Sequence, residues 1–179
     1  GYNRGSTRRA GSAKAMVMAD SLFKVGVLGA TGFIGSPYRA EIRECKEAEI
    51  VALCARRQDL LAKAAREDQA RVATQDWREV VEHPDVNLVV VGTPDALHHE
   101  AVVACAAQGK HLVCEKPVGM NAAEAEEMWG LYRDAQPALA HFVPFWTRMV
   151  GVFEVARDIV GSGELGEIVS TVFRWQNPR

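Results

Sequence analysis

Short apolar runs recur along the chain and alternate with stretches whose apolar residues are spaced three and four positions apart. The runs lie at residues 23–28, 50–54, 88–92, 111–114 and 138–143. Their length suits strands that are buried on both faces, whereas the intervening stretches have helical periodicity. Alternating strands and helices predict an α/β fold class, with a doubly wound parallel sheet covered on both faces.

Two of the intervening helices have clear end signals. Ala101 and Cys105 lie on one face of the first, and Gly109 is placed to end it. In the second, Asn121 and Glu124 have the spacing of an N-cap residue and its third helical residue. The pattern therefore predicts a helix on each side of the apolar run at 111–114.

The pattern changes after residue 143 and divides the chain. A long helical stretch is followed by a glycine-bearing segment and by a strand-like run at 167–173. One helix and one strand cannot close a core, so we expect residues 144–179 to be the start of an incomplete second α+β domain. The Gly, Ser and basic residues of 1–22 predict a disordered leader or a remnant of expression, and residues 23–143 form the main domain.

Composition excludes several classes of protein. A chain of 179 residues with 48% hydrophobic residues can bury an ordinary core, and its net charge of −2 argues against a nucleic-acid or membrane-surface partner. The first twenty residues have no apolar stretch that would suit a signal peptide or a membrane span. The four cysteines show neither a CxxC pair nor zinc-ligand spacing, which predicts no metal site and a reducing, cytoplasmic location.

The sequence GATGFIG at 29–35 follows the first apolar run and carries the first candidate site. A glycine turn between a strand and a helix lets backbone N–H groups approach a pyrophosphate, as in Rossmann-type domains. Pro37 would remove a helical hydrogen bond, so the helix begins late or bends there. We predict dinucleotide binding by Gly29, Thr31, Gly32, Phe33, Ile34 and Gly35.

Arg56 and Arg57 follow the second apolar run, where an NAD-selective site carries an acidic residue for the ribose hydroxyls. Two guanidinium groups could instead bind a 2′-phosphate, which favours NADP, with NAD as the alternative cofactor. The plainer interpretation is a solvated pair at the start of the next helix.

Two further motifs follow the fourth and fifth apolar runs: GTPDALHHE at 92–100 and GKHLVCEKP at 109–117. Together, over about 23–173, they closely resemble the Gfo/Idh/MocA oxidoreductase family. The resemblance implies an NAD(P)-dependent enzyme acting on CH–OH groups of a sugar, cyclitol or related substrate. It also implies cofactor contacts from Thr93, Pro94, Asp95, His98, Glu115 and Lys116.

Lys116 is the candidate catalytic residue, because the family's corresponding lysine lies beside the nicotinamide and the substrate. A partly buried lysine there can have its pKa lowered into a useful range. Glu115 orients Lys116 or contacts the ribose, and Pro117 fixes the backbone, with a cis bond as one way to do so. Thr93 is expected to cap a helix whose first residue is Pro94.

The resemblance implies that most of the substrate pocket, with the acid/base partner, would follow Arg179. His141 and Arg148 are candidates to face a substrate. The expected partners are a sugar-like or polyol-like small molecule and a second copy in a homo-oligomer. The alternative function is a non-catalytic NAD(P)-binding or redox-sensing protein; a short-chain reductase is excluded, because neither Tyr38 nor Tyr132 is followed four residues later by lysine.

Overall fold

The computed structural model describes residues 22–174 and 176, and the predicted leader therefore lies almost wholly outside the described residues. Its centre is a six-stranded parallel sheet in the order β3-β2-β1-β4-β5-β6. The strands are β1 Phe23–Leu28, β2 Ala48–Cys54, β3 Val72–Thr74, β4 Leu88–Val91, β5 His111–Cys114 and β6 His141–Phe142. This confirms the predicted α/β fold class.

Within the described residues, six α-helices accompany the strands. They are α1 Gly35–Glu44, α2 Gln58–Asp68, α3 Trp77–Glu82, α4 His98–Ala107, α5 Ala122–Arg133 and α6 Gly151–Ser162. Two apolar layers hold the first five to the sheet: α1 and α2 pack on one face, and α3, α4 and α5 pack on the other. Burial on both faces explains why β1, β2 and β4 read as continuous apolar runs.

The predicted helix ends next to β5 are confirmed. Asn121 accepts a hydrogen bond of 3.0 Å from the backbone N–H of Glu124 and so caps α5. Gly109 has φ +64, and the N–H groups of Gly109 and Lys110 donate to carbonyls in the last turn of α4. That paired arrangement satisfies the carbonyls that a helix end would leave unbonded.

The sheet order creates a reversal between β1 and β4. From β1 the chain runs outward through β2 to β3, then returns to β4 on the other side of β1 and runs outward again. In open α/β sheets ligands bind outside the carboxyl ends of the strands at such a reversal. The turns that follow β1 and β4 therefore define where a site would lie.

Three strand predictions need correction. β3, at Val72–Thr74, was missed because it has three residues and none is fully buried. The run predicted at 138–143 pairs only over His141–Phe142, because β6 is an edge strand with β5 as its neighbour. The run at 167–173 forms no strand, since no strand of the described chain lies beside it to accept its hydrogen bonds.

Segment 144–174 differs from the sheet region in its packing. Helix α6 has the predicted apolar face, but none of its residues is buried, and Val152, Val155 and Ile159 are exposed. The assignment of this segment to a second domain stays a prediction. Among the described residues, no helix combines the length and the hydropathy that crossing a membrane requires.

Candidate functional site

The turns after β1 and β4 touch at the carboxyl edge of the sheet. Gly29 has φ +77, a conformation that L side chains rarely adopt. A Cβ added at Gly29 would overlap the carbonyl oxygen of Gly92, and would lie 2.8 Å from its carbon. The absence of a side chain at Gly29 is therefore required for the first and fourth strands to end side by side.

The phosphate loop, defined here as residues 29–35, leads directly into α1. A Cβ at Gly35 would overlap the carbonyl oxygen of Gly29, and the N–H of Gly32 donates to that same oxygen at 2.9 Å. No side chain caps the start of α1, where the N-cap residue is Ile34. The positive end of the helix dipole and its first N–H groups therefore face the loop without a side-chain partner, as anion binding requires.

The remaining residues near this loop shape its surroundings. Pro37 is the third residue of α1, where a helix has no internal acceptor for the N–H, so the predicted loss of a helical hydrogen bond does not occur and α1 begins at Gly35, directly at the end of the loop. Thr31 is half-buried, whereas Phe33 is 92% exposed. Thr31 also borders a polar cleft between α1 and α2 that is lined by Arg39, Arg43 and Lys63 among others.

Arg56 and Arg57 lie at the carboxyl end of β2 and are both exposed. The guanidinium of Arg57 donates to Asp59 at 3.0 Å, and the backbone carbonyl of Arg56 accepts from Gln75 at 2.6 Å. Within the described residues, the Arg56 guanidinium has no hydrogen-bond partner. Asp76, which follows β3, caps α3 by accepting from the backbone N–H of Arg78.

The prediction that Thr93 caps a helix beginning at Pro94 is wrong. Pro94 has an extended ψ of 145, a 3-10 turn follows at Asp95–Leu97, and α4 begins at His98. The Thr93 hydroxyl is instead buried without a hydrogen-bond partner. The reason is position: the residue before the 3-10 turn is Pro94 and the residue before α4 is Leu97, so Thr93 precedes neither helical segment directly.

His98 connects the two family motifs. Its side chain is fully buried, with Nε2 3.0 Å from the carbonyl oxygen of Thr93 and Nδ1 2.9 Å from that of Pro117. Carbonyl oxygens can only accept hydrogen bonds. The neutral His98 ring therefore donates a hydrogen bond to one of the two turns, and a ring protonated at both nitrogens donates to both. His98 therefore holds the turn after β4 against the turn after β5.

The Lys116 turn, defined here as residues 115–117, follows β5. The Lys116–Pro117 peptide bond is cis, and the Lys116 side chain is exposed rather than partly buried. One carboxylate oxygen of Glu115 accepts from the backbone N–H of Lys116 at 3.1 Å. Glu115 thus fixes the turn that carries the candidate catalytic lysine.

The second carboxylate oxygen of Glu115 accepts from the hydroxyl of Tyr38 at 2.7 Å. Burial and this hydrogen bond raise the pKa of Tyr38, so that the hydroxyl stays a donor through the neutral pH range. Sequence reasoning missed Tyr38 as a site residue. No local pattern could have found it, because its partner is 77 positions away.

Other titratable groups near this edge are not brought into the site. His99 pairs with Glu127 at 3.0 Å on the surface, and the ring of His141 lies 5.3 Å from that of Tyr132. Burial and then the charge of Glu115 raise the pKa of the Cys114 thiol to about 12, which makes it a poor nucleophile. No group of metal ligands occurs among the described residues.

Arg148 was predicted to face a substrate. The structure places its guanidinium 5.8 Å from the ring centre of Phe145. Its role stays a prediction.

The reversal between β1 and β4 is called the switch point of the sheet, and the residues there fit a dinucleotide. The loop has no room for a side chain at Gly29 or Gly35, so backbone rather than side chains forms the turn, and the start of α1 behind it attracts negative charge. Thr93, whose backbone nitrogen lies against Gly29, adds a buried hydroxyl without a hydrogen-bond partner, which is unusual in proteins. Backbone amides, a hydroxyl and flanking cations suit an anionic ligand.

Comparison with protein families gives one model that covers most of the chain. The model describes an oxidoreductase family with an NAD-binding Rossmann fold, and it matches residues 23–141. The match begins at β1 and ends where β6 begins, so that it includes the phosphate loop and both motif turns.

Individual relatives are dehydrogenases. Levoglucosan dehydrogenase of Pseudarthrobacter phenanthrenivorans is 34% identical over 112 residues, which are 63% of this chain and 28% of the relative. Trans-1,2-dihydrobenzene-1,2-diol dehydrogenase of Bos taurus is 32% identical over 145 residues, which are 80% of this chain and 42% of that protein. The chain thus spans less than half the length of these curated relatives.

A solved structure shares the fold. Levoglucosan dehydrogenase in complex with NADH and levoglucosan superposes with a TM-score of 0.70 at 29% identity, over 82% of this chain and 41% of that one.

Proposed function

The chain belongs to the Gfo/Idh/MocA oxidoreductase family, and from this premise we propose that its switch point binds NADP(H) or NAD(H) for hydride transfer. The reaction we propose interconverts a CH–OH group and a carbonyl on a sugar, cyclitol or related polyol. The single observation that carries the proposal is the meeting of the phosphate loop, Thr93 and the Lys116 turn at the carboxyl edge of β1, β4 and β5.

Each of these parts has a separate task. When it is bound, the nicotinamide supplies the carbon that accepts or releases hydride. The phosphate loop binds the pyrophosphate through backbone N–H groups and the start of α1. His98 and Glu115 hold their turns in place, and Lys116 holds or releases a proton at Nζ beside the reacting hydroxyl.

We propose NADP(H) as the preferred dinucleotide. Arg56 is exposed at the end of β2 with no acidic residue adjoining it in the sequence, and Arg57 stands beside it. A 2′-phosphate would receive forked hydrogen bonds from a guanidinium, whereas a ribose hydroxyl gains little from one.

The compartment and the assembly are further parts of the proposal. The buried free thiols of Cys54, Cys105 and Cys114 support a reducing, cytoplasmic location. The exposed apolar face of α6 supports a homo-oligomer, because contiguous apolar surface of this kind favours association.

The test of cofactor binding is a fluorescence titration of the chain with NADPH and with NADH. We expect saturable binding of both, with NADPH the tighter. Absence of saturation with either would overturn the proposal. The Lys116→Met variant should still bind both saturably, with affinity lowered by no more than about tenfold, because the pyrophosphate is bound by the phosphate loop and the lysine contacts only the nicotinamide half.

The test of catalysis uses a longer protein that continues this chain through the second domain implied by the resemblance. It measures reduction of NADP in the presence of a polyol panel that includes levoglucosan and a cyclitol. The dehydrogenase names of the relatives favour turnover over a non-catalytic or sensing function. Turnover that Lys116→Met abolishes supports the enzymatic role. Tight dinucleotide binding with no turnover on any member would favour the alternative.

A further inference from the structure

Tyr38 connects two parts of the site that the chain otherwise keeps apart. The residue lies one turn from the start of α1, the helix that leads out of the phosphate loop. Its hydroxyl reaches the Glu115 carboxylate at 2.7 Å, on the far side of the switch point and after β5. The contact therefore joins the helix proposed to bind the pyrophosphate to the turn that carries Lys116.

Glu115 is held at both of its oxygens. One oxygen accepts from Tyr38, and the other accepts from the backbone N–H of Lys116 at 3.1 Å. A carboxylate that accepts hydrogen bonds at both oxygens loses the freedom to rotate away. The chain of contacts runs from α1 through Tyr38 and Glu115 to the backbone of Lys116.

The location of this contact can be assigned to one half of a dinucleotide. In Rossmann-type sheets the adenosine ribose lies at the end of β2 and the pyrophosphate lies at the start of the helix after β1. The nicotinamide half must then extend across the reversal toward β4 and β5. Glu115 follows β5, so the Tyr38 contact lies on the nicotinamide side.

We propose that Tyr38 is a positioning residue for the nicotinamide end of the site, acting through Glu115 on the Lys116 turn. The inference rests on the proposed function. It goes beyond that function by giving a role to a side chain outside all three motifs. The ring of Tyr38 packs against the core layer beneath α1, so its hydroxyl is directed by packing before any ligand arrives.

The expected consequence is specific to the part of the ligand affected. Tyr38→Phe keeps the packed ring and removes only the hydroxyl, which frees one oxygen of Glu115. We expect affinity for NADPH to fall by about threefold to tenfold, which is the loss of one hydrogen bond. ADP-ribose lacks the nicotinamide ring, so its affinity should fall by less than that of NADPH.

The matched control is Tyr132→Phe. Tyr132 also has a packed ring and a hydrogen-bonded hydroxyl. The residue is buried, and its hydroxyl donates to the Lys110 carbonyl at 3.1 Å. That contact lies at the amino end of β5, away from the site. Its loss should leave the affinities for NADPH and ADP-ribose unchanged even where stability falls.

A double-mutant cycle tests whether Tyr38 acts through Glu115. If it does, Tyr38→Phe and Glu115→Ala together should weaken NADPH binding no more than Glu115→Ala alone. Additive losses would overturn the proposed route. Equal losses for NADPH and ADP-ribose in Tyr38→Phe would also overturn it, because they would show damage to the phosphate loop. Unchanged binding of both ligands would overturn it as well.

A readout without ligand separates this inference from the proposed function. Hydrogen exchange at the Lys116 amide should be faster in Tyr38→Phe than in wild type, because its acceptor Glu115 is no longer held. Unchanged exchange would contradict the inference even where NADPH binds. If the wild-type chain binds neither NADPH nor ADP-ribose, the proposed function fails, and the positioning role fails with it.

Discussion

The phosphate loop and the Lys116 turn lie at the same edge of one sheet but are built differently. The loop at 29–35 is shaped by the absence of side chains, since atoms added at Gly29 or Gly35 would overlap backbone carbonyls. The Lys116 turn is shaped by side chains from elsewhere, since His98 contacts Pro117 and Tyr38 contacts Glu115.

This difference indicates two ways of making a rigid site. A pyrophosphate is bound by backbone groups, so its loop needs close approach and little else. A proton-transfer group needs a side chain that is mobile enough to act but held near the reacting atoms, which calls for supporting contacts. The predictions below follow from this contrast, in order of their expected effect on dinucleotide affinity.

The largest effect is expected from Gly35→Ala. The added methyl would overlap the Gly29 carbonyl oxygen and lie 2.8 Å from its carbon, and backbone cannot move aside as a flexible side chain would. We expect the Kd for NADPH to rise by about 100-fold or more. Gly161→Ala is the control, because its methyl meets no atom within 4 Å. Wild-type affinity in Gly35→Ala would contradict the backbone account of the loop.

His98→Leu should separate the two motif turns. It leaves the carbonyls of Thr93 and Pro117 without their shared partner, which costs about 1–3 kcal/mol in the free energy of unfolding. We expect NADPH affinity to fall about tenfold as the turns move apart. The neighbouring His99→Leu, which loses only its surface contact with Glu127, should change stability by less than about 0.5 kcal/mol. Equal effects at both positions would argue against the bridging role.

Arg56→Glu should change which dinucleotide is bound. The substitution places negative charge where we propose the 2′-phosphate, so the preference for NADPH over NADH should fall by about tenfold. Arg66→Glu makes the same change of charge in the last turn of α2 and serves as the control. Titrations with both dinucleotides measure the ratio. An unchanged preference for NADPH over NADH would indicate that Arg56 and Arg57 are solvated and do not contact the 2′-phosphate.

Lys110→Met should affect stability without affecting the site. The ammonium of Lys110 is buried and donates to the carbonyls of His83 and Val86 at 3.0 and 2.8 Å, beside the amino end of β5. Leaving both unbonded should lower the free energy of unfolding by about 1–3 kcal/mol, measured in urea. NADPH affinity should stay within about twofold of wild type. A larger loss of affinity would show that stability alone accounts for the effects above.

Local chemistry made much of the fold predictable. The strands β1, β2, β4 and β5 were predictable because their buried central residues form apolar runs, while their polar residues, Lys24, Glu49 and His111, lie near the amino ends. Asn121 and Gly109 were predictable for a similar reason, since helix caps depend on neighbours within a few residues. The phosphate loop belongs with these, because the need for glycine is a property of the backbone at that position.

The misses have a common physical cause. The run at 167–173 has the composition of a strand. A strand also requires a neighbouring strand for its backbone hydrogen bonds, and the residues of the run do not specify one. Thr93 was assigned to a cap because its position suited one, whereas its hydroxyl is buried without a hydrogen-bond partner. The contact between Tyr38 and Glu115 depends on the sheet order, which no local pattern encodes.

The most direct test of the central claim is hydrogen exchange of the chain with and without saturating NADPH. We predict slower exchange in the peptides that contain the phosphate loop, Thr93 and the Lys116 turn, and unchanged exchange in α6. Protection confined to α6, or no protection at the carboxyl edge of β1, β4 and β5, would contradict the assignment of the dinucleotide to the switch point.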